Sequence, residues 1–271
     1  MKVSEFSKHI LNNGDIAAKL IKADSIEFDS FDNFDLPTYP ERSERIKFSQ
    51  KNLKFPKGNL HEIEKKAMAL HSFANHELLA VEMMAAALLI YPHHTEELKR
   101  FKIGVYNSLK DEQKHFELYV ERLNELGFEF GDFPINDFFW RQMKSLETPS
   151  QYLATMSLTF EAANLDFAFL YHKIFKDMED FKTASILETV LKEEISHVAI
   201  GAHYLNLWKK DKSLWEYYLE SLPYPITPAR AKGKIFREEE RLKAKLPLDF
   251  VQNMKNFQDN FKVTQRREWK S

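Results

Sequence analysis

Residues 111–123 read DEQKHFELYVERL, and residues 193–205 read EEISHVAIGAHYL. Each stretch holds one Glu-x-x-His: Glu112 with His115, and Glu194 with His197. On a helix, residues three apart lie about 60° apart around the axis and roughly one turn along it, so both side chains can reach one ion. A lone Glu interrupts a long apolar run upstream of each string: Glu77 before the first and Glu161 before the second. Leu70, Phe73, Ala74, Ala80, Val81, Met84 and Leu88 share a face with Glu77, and Ala154, Leu158, Leu165 and Ala168 surround Glu161. An acid in such a stripe is unusual unless it is paired or metal-bound. Four carboxylates and two imidazoles on four helices form the ligand set with which a helical bundle holds two metal ions.

Chance alone supplies about one Glu-x-x-His in a chain of this size, so the weight rests on the combination. Glu77 precedes Glu112 by 35 residues and Glu161 precedes Glu194 by 33, a weak internal repeat of two hairpins of one design. Glu82 and Asp166 are the other acids on the first and third helices. Each lies five positions on from its Glu, roughly 140° around the helix, so both members of a pair cannot face one centre. Glu77 and Glu161 are chosen as ligands, with Glu82 and Asp166 pairing with cations or supporting the ligands. Whether Glu77 or Glu82 serves on the first helix stays open on sequence alone. Asp111 and Glu193 precede the motif glutamates; they read either as acceptors for a metal-bound His N–H or as plain surface acidity. His76 adjoins Glu77 and joins this supporting group. His61 and His71 read as ordinary helix residues, His93 and His94 as turn residues, and His203 as a candidate for an access route.

The helices come as hairpin, long crossover, hairpin. Residues 3–22 read as an amphipathic helix and 23–58 as an extended wrapping segment (SFDNFDLPTYPERSE lies within it). A helix from about His61 to Tyr91 is followed by a second, with Thr95 as N-cap, Glu96 and Glu97 in its first turn, and Gly127 as its stop. The connector 127–148, GFEFGDFPINDFFWRQMKSLET, is much longer than the usual link between antiparallel helices. Phe138, Phe139 and Trp140 within it read as a hydrophobic lid. Further helices are expected over about 150–176, 181–210 and 248–262. The expected fold is all-α: a four-helix bundle over residues 60–212 with one long crossover, preceded by 1–59 and followed by a helical extension, 213–271.

With only 7 Gly against 23 Phe and 8 Met, the 271-residue chain suits long helices better than hairpin-rich sheets. The absence of Cys removes disulfides, thiolate nucleophiles and iron–sulfur clusters. A formal net charge of −2 gives no field to draw in nucleic acid, and the basic stretch Arg230–Lys245 is broken by three acids. The first residues lack an apolar signal core, and the longest apolar stretch, Met83 to Tyr91, is too short for a bilayer. The reading is a soluble, cytoplasmic protein that binds neither membrane nor nucleic acid.

The segments SFANHELLAVEMMA, DEQKHFELYVERLNELG, FGDFPINDFFW, LTFEAANLDFAF, EEISHVAIGAHYLN and PARAKGKIFREEERLKAKL resemble the ferritin-like DUF455 family, over roughly residues 60–245. The resemblance implies a ferritin-like bundle with a di-iron or di-manganese carboxylate site on Glu77, Glu112, His115, Glu161, Glu194 and His197. The Asp-Glu-x-x-His form at Asp111–His115 is similar to that of di-iron oxygenases, in which the Asp supports a ligand His; Glu193 stands in that place in the second motif. The tRNA hydroxylases are related by fold, and the absence of a basic patch argues against transferring their substrate.

The expected function is an oxidoreductase with two iron and/or manganese ions that activates dioxygen or peroxide on a small-molecule substrate, supplied by an electron donor, with a homodimer as an open option. Two rivals remain on sequence alone. One is a ferroxidase, iron-handling or peroxide-scavenging protein without an organic substrate, and the other is a non-enzymatic helical binding protein.

Overall fold

A computed structural model describes residues 1–29, 34–49, 55 and 59–260. Parts of the expected wrapping segment, and the end of the expected last helix at 261–262, lie outside the described residues. The fold is all-α: among the described residues, β-structure is confined to two isolated bridges, Lys2 with Glu27 and Phe48 with Ile135. By packing, the chain divides into two compact units, Met1–Lys144 and Ser145–Ser271.

The first unit opens with α1, Val3–Asn12, whose buried Val3, Phe6, Ser7, Ile10 and Leu11 fall on one helical stripe. The helix expected over 3–22 is broken: α1 ends at Asn12, and α2 is a single turn, Ile16–Lys19. The break brings Gly14 against the chain at Arg42 and Ser43, where a Cβ would lie 2.8 Å from the Ser43 nitrogen. Ser43 N–H donates to the Gly14 carbonyl at 3.1 Å. A continuous helix would prevent that approach.

Two long helices follow, α3, Ile63–Ile90, and α4, Glu96–Glu125. The Thr95 hydroxyl caps α4 by accepting from Leu98 N–H at 3.2 Å, with Glu96 and Glu97 in the first turn. At the other end Gly127 takes φ +84°, its N–H bonds the Asn124 carbonyl, and Phe128 N–H bonds that of Leu123. This is a Schellman stop, which glycine makes without steric cost. By length and composition α3 could cross a bilayer, yet 83% of its apolar window is buried inside the protein. Its apolar surface therefore serves packing. At the turn between these helices, buried Lys102 donates to the Leu88 carbonyl, and its ammonium lies 2.9 Å from His93 Nδ1. In the connector, Trp140 is buried in the core and donates to the Thr38 carbonyl, so it anchors the segment and is no part of a lid.

The second unit begins with α5, Pro149–Thr155, which starts with a Thr148/Gln151 capping box and Pro149 in its first turn. The helix expected over 150–176 is interrupted by a π-helical turn, Met156–Glu161, before α6, Ala162–Asp177. A π turn misaligns the i→i−4 ladder, and the Thr159 hydroxyl meets the Ala154 carbonyl at 2.7 Å. The same hydroxyl lies 2.8 Å from the buried Tyr218 hydroxyl. Helix α7, Phe181–Trp208, is capped by Asp180 and packs on this region. Among the described residues, three short α-helices follow: α8, Leu214–Ser221; α9, Glu238–Lys243; and α10, Leu248–Asn256.

Gly201 on α7 lets the helix reach the π turn, since a Cβ there would lie 2.5 Å from Ser157 Cβ and 3.1 Å from Leu158 Cδ2. Gly201→Ala must push these segments apart, which should lower stability by about 1–3 kcal/mol despite the better helix propensity of Ala. Urea unfolding of the two proteins measures the difference.

Candidate metal centre

In the first unit, α3 carries Glu77 inward and α4 carries Glu112 and His115. All three are buried, at 5%, 1% and 0% exposure, and each offers a ligand atom within 4.8 Å of the others. His115 Nδ1 lies 3.6 Å from Glu112 Oε2, as i,i+3 spacing on one helix face requires.

The second unit carries the counterpart residues. Glu194 and His197 stand on α7, with His197 Nδ1 3.3 Å from Glu194 Oε2. Glu161 closes the π turn, and it and His197 offer ligand atoms within 4.8 Å of each other. Glu161, Glu194 and His197 are all buried. Placing Glu161 on a π turn ties its direction to a widened helical step.

One residue that sequence reasoning passed over acts here. Asn164 Nδ2 donates to Glu194 Oε1 at 2.6 Å. This bond holds one carboxylate oxygen and leaves Oε2 on the His197 side, so Asn164 orients Glu194. The signal was available: Asn164 is three residues beyond Glu161, on its own helix face. Ala80 occupies the matching place after Glu77 and has no such donor.

The other buried acids are neutralised by protein cations. Glu82 bonds Arg42 at 2.5 Å and Lys19 at 3.1 Å. Asp166 receives both guanidinium nitrogens of Arg241, at 2.7 and 3.0 Å, and the backbone N–H groups of Gly233 and Arg237. Arg241 is itself fully buried and also donates to the carbonyls of Ala162 and Ala231. Asp111 is half-exposed, 3.9 Å from Lys114, and Glu193 is half-buried with its carbonyl accepting from Ser196. His76 stacks on Phe139 with ring centroids 5.1 Å apart, and burial pulls its pKa down to about 4, so the ring is neutral. His203 is exposed on α7.

The donor chemistry suits metal. Carboxylate oxygen and imidazole nitrogen are ligands for iron or manganese, and a chain without Cys offers no thiolate to favour softer ions. A buried carboxylate is costly without a compensating cation. Lys19, Arg42 and Arg241 meet that need at Glu82 and Asp166; at Glu112 and Glu194 the neighbouring motif residue is a histidine, which suits a bound ion.

A cleft of ≈ 800 Å³ opens in the first unit, with the α3 residues His71, Asn75 and His76 along it. His71 Nε2 accepts from Gly131 N–H at 3.0 Å, which requires a neutral ring.

The chain is thus an all-helical protein with buried carboxylate–histidine groups able to hold metal. It belongs to the DUF455 family, described as a protein of unknown function, whose pattern matches residues 4–252. An uncharacterized protein of Haemophilus influenzae is 29% identical over 164 residues, 59% of this chain and 57% of the relative. The chain therefore spans less than two thirds of that relative's length. No solved structure matches the chain.

Two stability effects follow. Burial lowers the His71 pKa from 6.5 to about 4. The unfolded chain then binds more protons than the folded one between these values, so stability is full above pH 6.5 and falls as the pH drops toward 4. The loss is about 3 kcal/mol, and denaturant midpoints across that range should show it, with a smaller drop in His71→Leu. Asp166→Ala leaves Arg241 buried without its acid and should cost about 3–5 kcal/mol in the same assay.

Proposed function

We propose that Glu77, Glu112, His115, Glu161, Glu194 and His197 serve one dinuclear centre of a ferritin-like four-helix bundle, and that the protein is an oxidoreductase. The observation that carries this reading is the duplication: a buried Glu followed along the chain by a buried Glu-x-x-His, twice over. The charge count supports it, because four carboxylates balance two divalent ions and turn a costly buried cluster into a neutral one.

Glu112, His115, Glu194 and His197 would each serve one ion in pairs, and Glu77 and Glu161 would bridge or cap them. Iron and/or manganese at such a site supplies redox equivalents and open positions for dioxygen or peroxide. The protein's own part is to fix the ligands and admit a substrate. Asn164 holds Glu194 in a single orientation, which would define the ion position at Glu194 and His197. An oxidation in which one oxygen atom of dioxygen leaves as water needs two electrons from outside, so an electron donor belongs to the scheme. The large cleft favours an organic substrate over pure metal handling.

Metal analysis of purified and reconstituted protein tests this. Two iron or manganese ions per chain are expected, with loss in Glu112→Ala and in Glu194→Ala. Asn164→Ala should weaken one of the two ions by roughly 10–100-fold, the scale of an oriented ligand losing its support. Fewer than one ion per chain after reconstitution, or full metal content in both Glu variants, contradicts the proposal.

A further inference from the structure

The cleft in the first unit has a polar floor that nothing in the metal centre uses. Arg42 is 3% exposed at its side chain and commits Nη2 to Glu82, yet its buried Nε and Nη1 find no acceptor among the described residues. Asn75 donates Nδ2 to the Asn136 carbonyl at 3.2 Å, and its buried Oδ1 likewise finds no donor. Both residues line the cleft. Buried polar groups are nearly always satisfied, so donors and an acceptor left over at the base of a large cleft point to a ligand.

The charge there is also unbalanced. Lys19 and Arg42 are two buried cations sharing one buried carboxylate, Glu82, while Glu41 acts on Lys19 from farther off. Of the acids on the cleft, Asp137 is engaged by Arg141 at 3.1 Å and by the Tyr39 hydroxyl, while Glu41 is exposed. The walls are aromatic. Arg42 lies over the Phe48 ring, 4.8 Å from its centroid; Tyr39 and Phe48 are 5.3 Å apart, and Phe138 also lines the cleft. A volume of ≈ 800 Å³ is that of a small-molecule site.

We infer that this cleft binds a small flat organic oxyanion, a carboxylate or phosphate on an aromatic or planar body, with its oxygens on Arg42 and its plane against Tyr39, Phe48 and Phe138. As a substrate site it rests on the proposed metal centre, because the cleft-lining Asn75 and His76 immediately precede Glu77 on α3. As a binding site it stands without the metal.

Calorimetry and ligand-observed NMR on the full chain, metal-free and metal-loaded, with benzoate, phenyl phosphate and benzylamine as probes, test it. One benzoate or phenyl phosphate should bind per chain, with benzylamine at least about tenfold weaker, and the tighter oxyanion identifies the headgroup. Arg42→Lys keeps the charge against Glu82 and removes the extra N–H groups; it should weaken the oxyanion by roughly tenfold or more. Tyr39→Ala changes a partly exposed wall and should weaken it several-fold with the fold intact by circular dichroism. The inference is overturned if neither oxyanion binds, if benzylamine binds equally well, or if folded Arg42→Lys binds like the wild type. Should Arg42→Lys not fold, unchanged oxyanion affinity in Tyr39→Ala overturns it. Oxyanion binding in a protein that takes up no metal removes the metal centre and leaves this site standing.

Discussion

A charged carboxylate inside a protein must meet a cation or pay a desolvation cost of several kcal/mol, and this chain buries Glu77, Glu82, Glu112, Asp166 and Glu194 on helices and Glu161 on the π turn. How each is accommodated shapes both units. Glu82 draws in Lys19 from α2 and Arg42 from the extended segment, which fixes the N-terminal elements on α3. Asp166 draws in Arg241, whose further bonds to Ala162 and Ala231 tie the C-terminal segment to the start of α6. The N-terminal elements and the segment around Arg241 are therefore anchored by the same requirement that the proposed metal ions would meet at the metal-centre acids.

The π turn belongs to the same economy of position. Inserting it into the helix from Pro149 to Asp177 sets Glu161 at its end, with Thr159 meeting the Ala154 carbonyl and Gly201 clearing room for α7. Neither residue touches a ligand atom in any contact described above, yet both constrain the segment that carries Glu161. Asn164 adds the finer adjustment at Glu194.

Much of this was legible in the sequence. Long apolar periodicity fixed the helical hairpins to within a few residues, and Thr95 and Gly127 marked the ends of α4 because caps act locally. That each Glu-x-x-His pair shares one helix face was legible from its i,i+3 spacing, and the burial of Glu77 and Glu161 from the apolar residues around them. The π turn was not, since MSLTFE has the composition of ordinary helix and its widened step goes with Thr159 meeting Tyr218 and Gly201 packing against Ser157 and Leu158 in three dimensions. The break at Gly14 was missed for the same reason, because its cause lies at Arg42 and Ser43, far along the chain. The cations that meet Glu82 and Asp166 could be expected in kind but not by name: Lys19, Arg42 and Arg241 come from segments without periodicity toward those acids.

The central claim is that two similar half-sites make one dinuclear centre. An anomalous-scattering map of metal-loaded crystals, collected across the iron and manganese absorption edges, tests it most directly. The account predicts two adjacent peaks about 3.5–4 Å apart, one beside Glu112 and His115 and the other beside Glu194 and His197. A single peak, or two peaks too far apart to share a carboxylate, would contradict it.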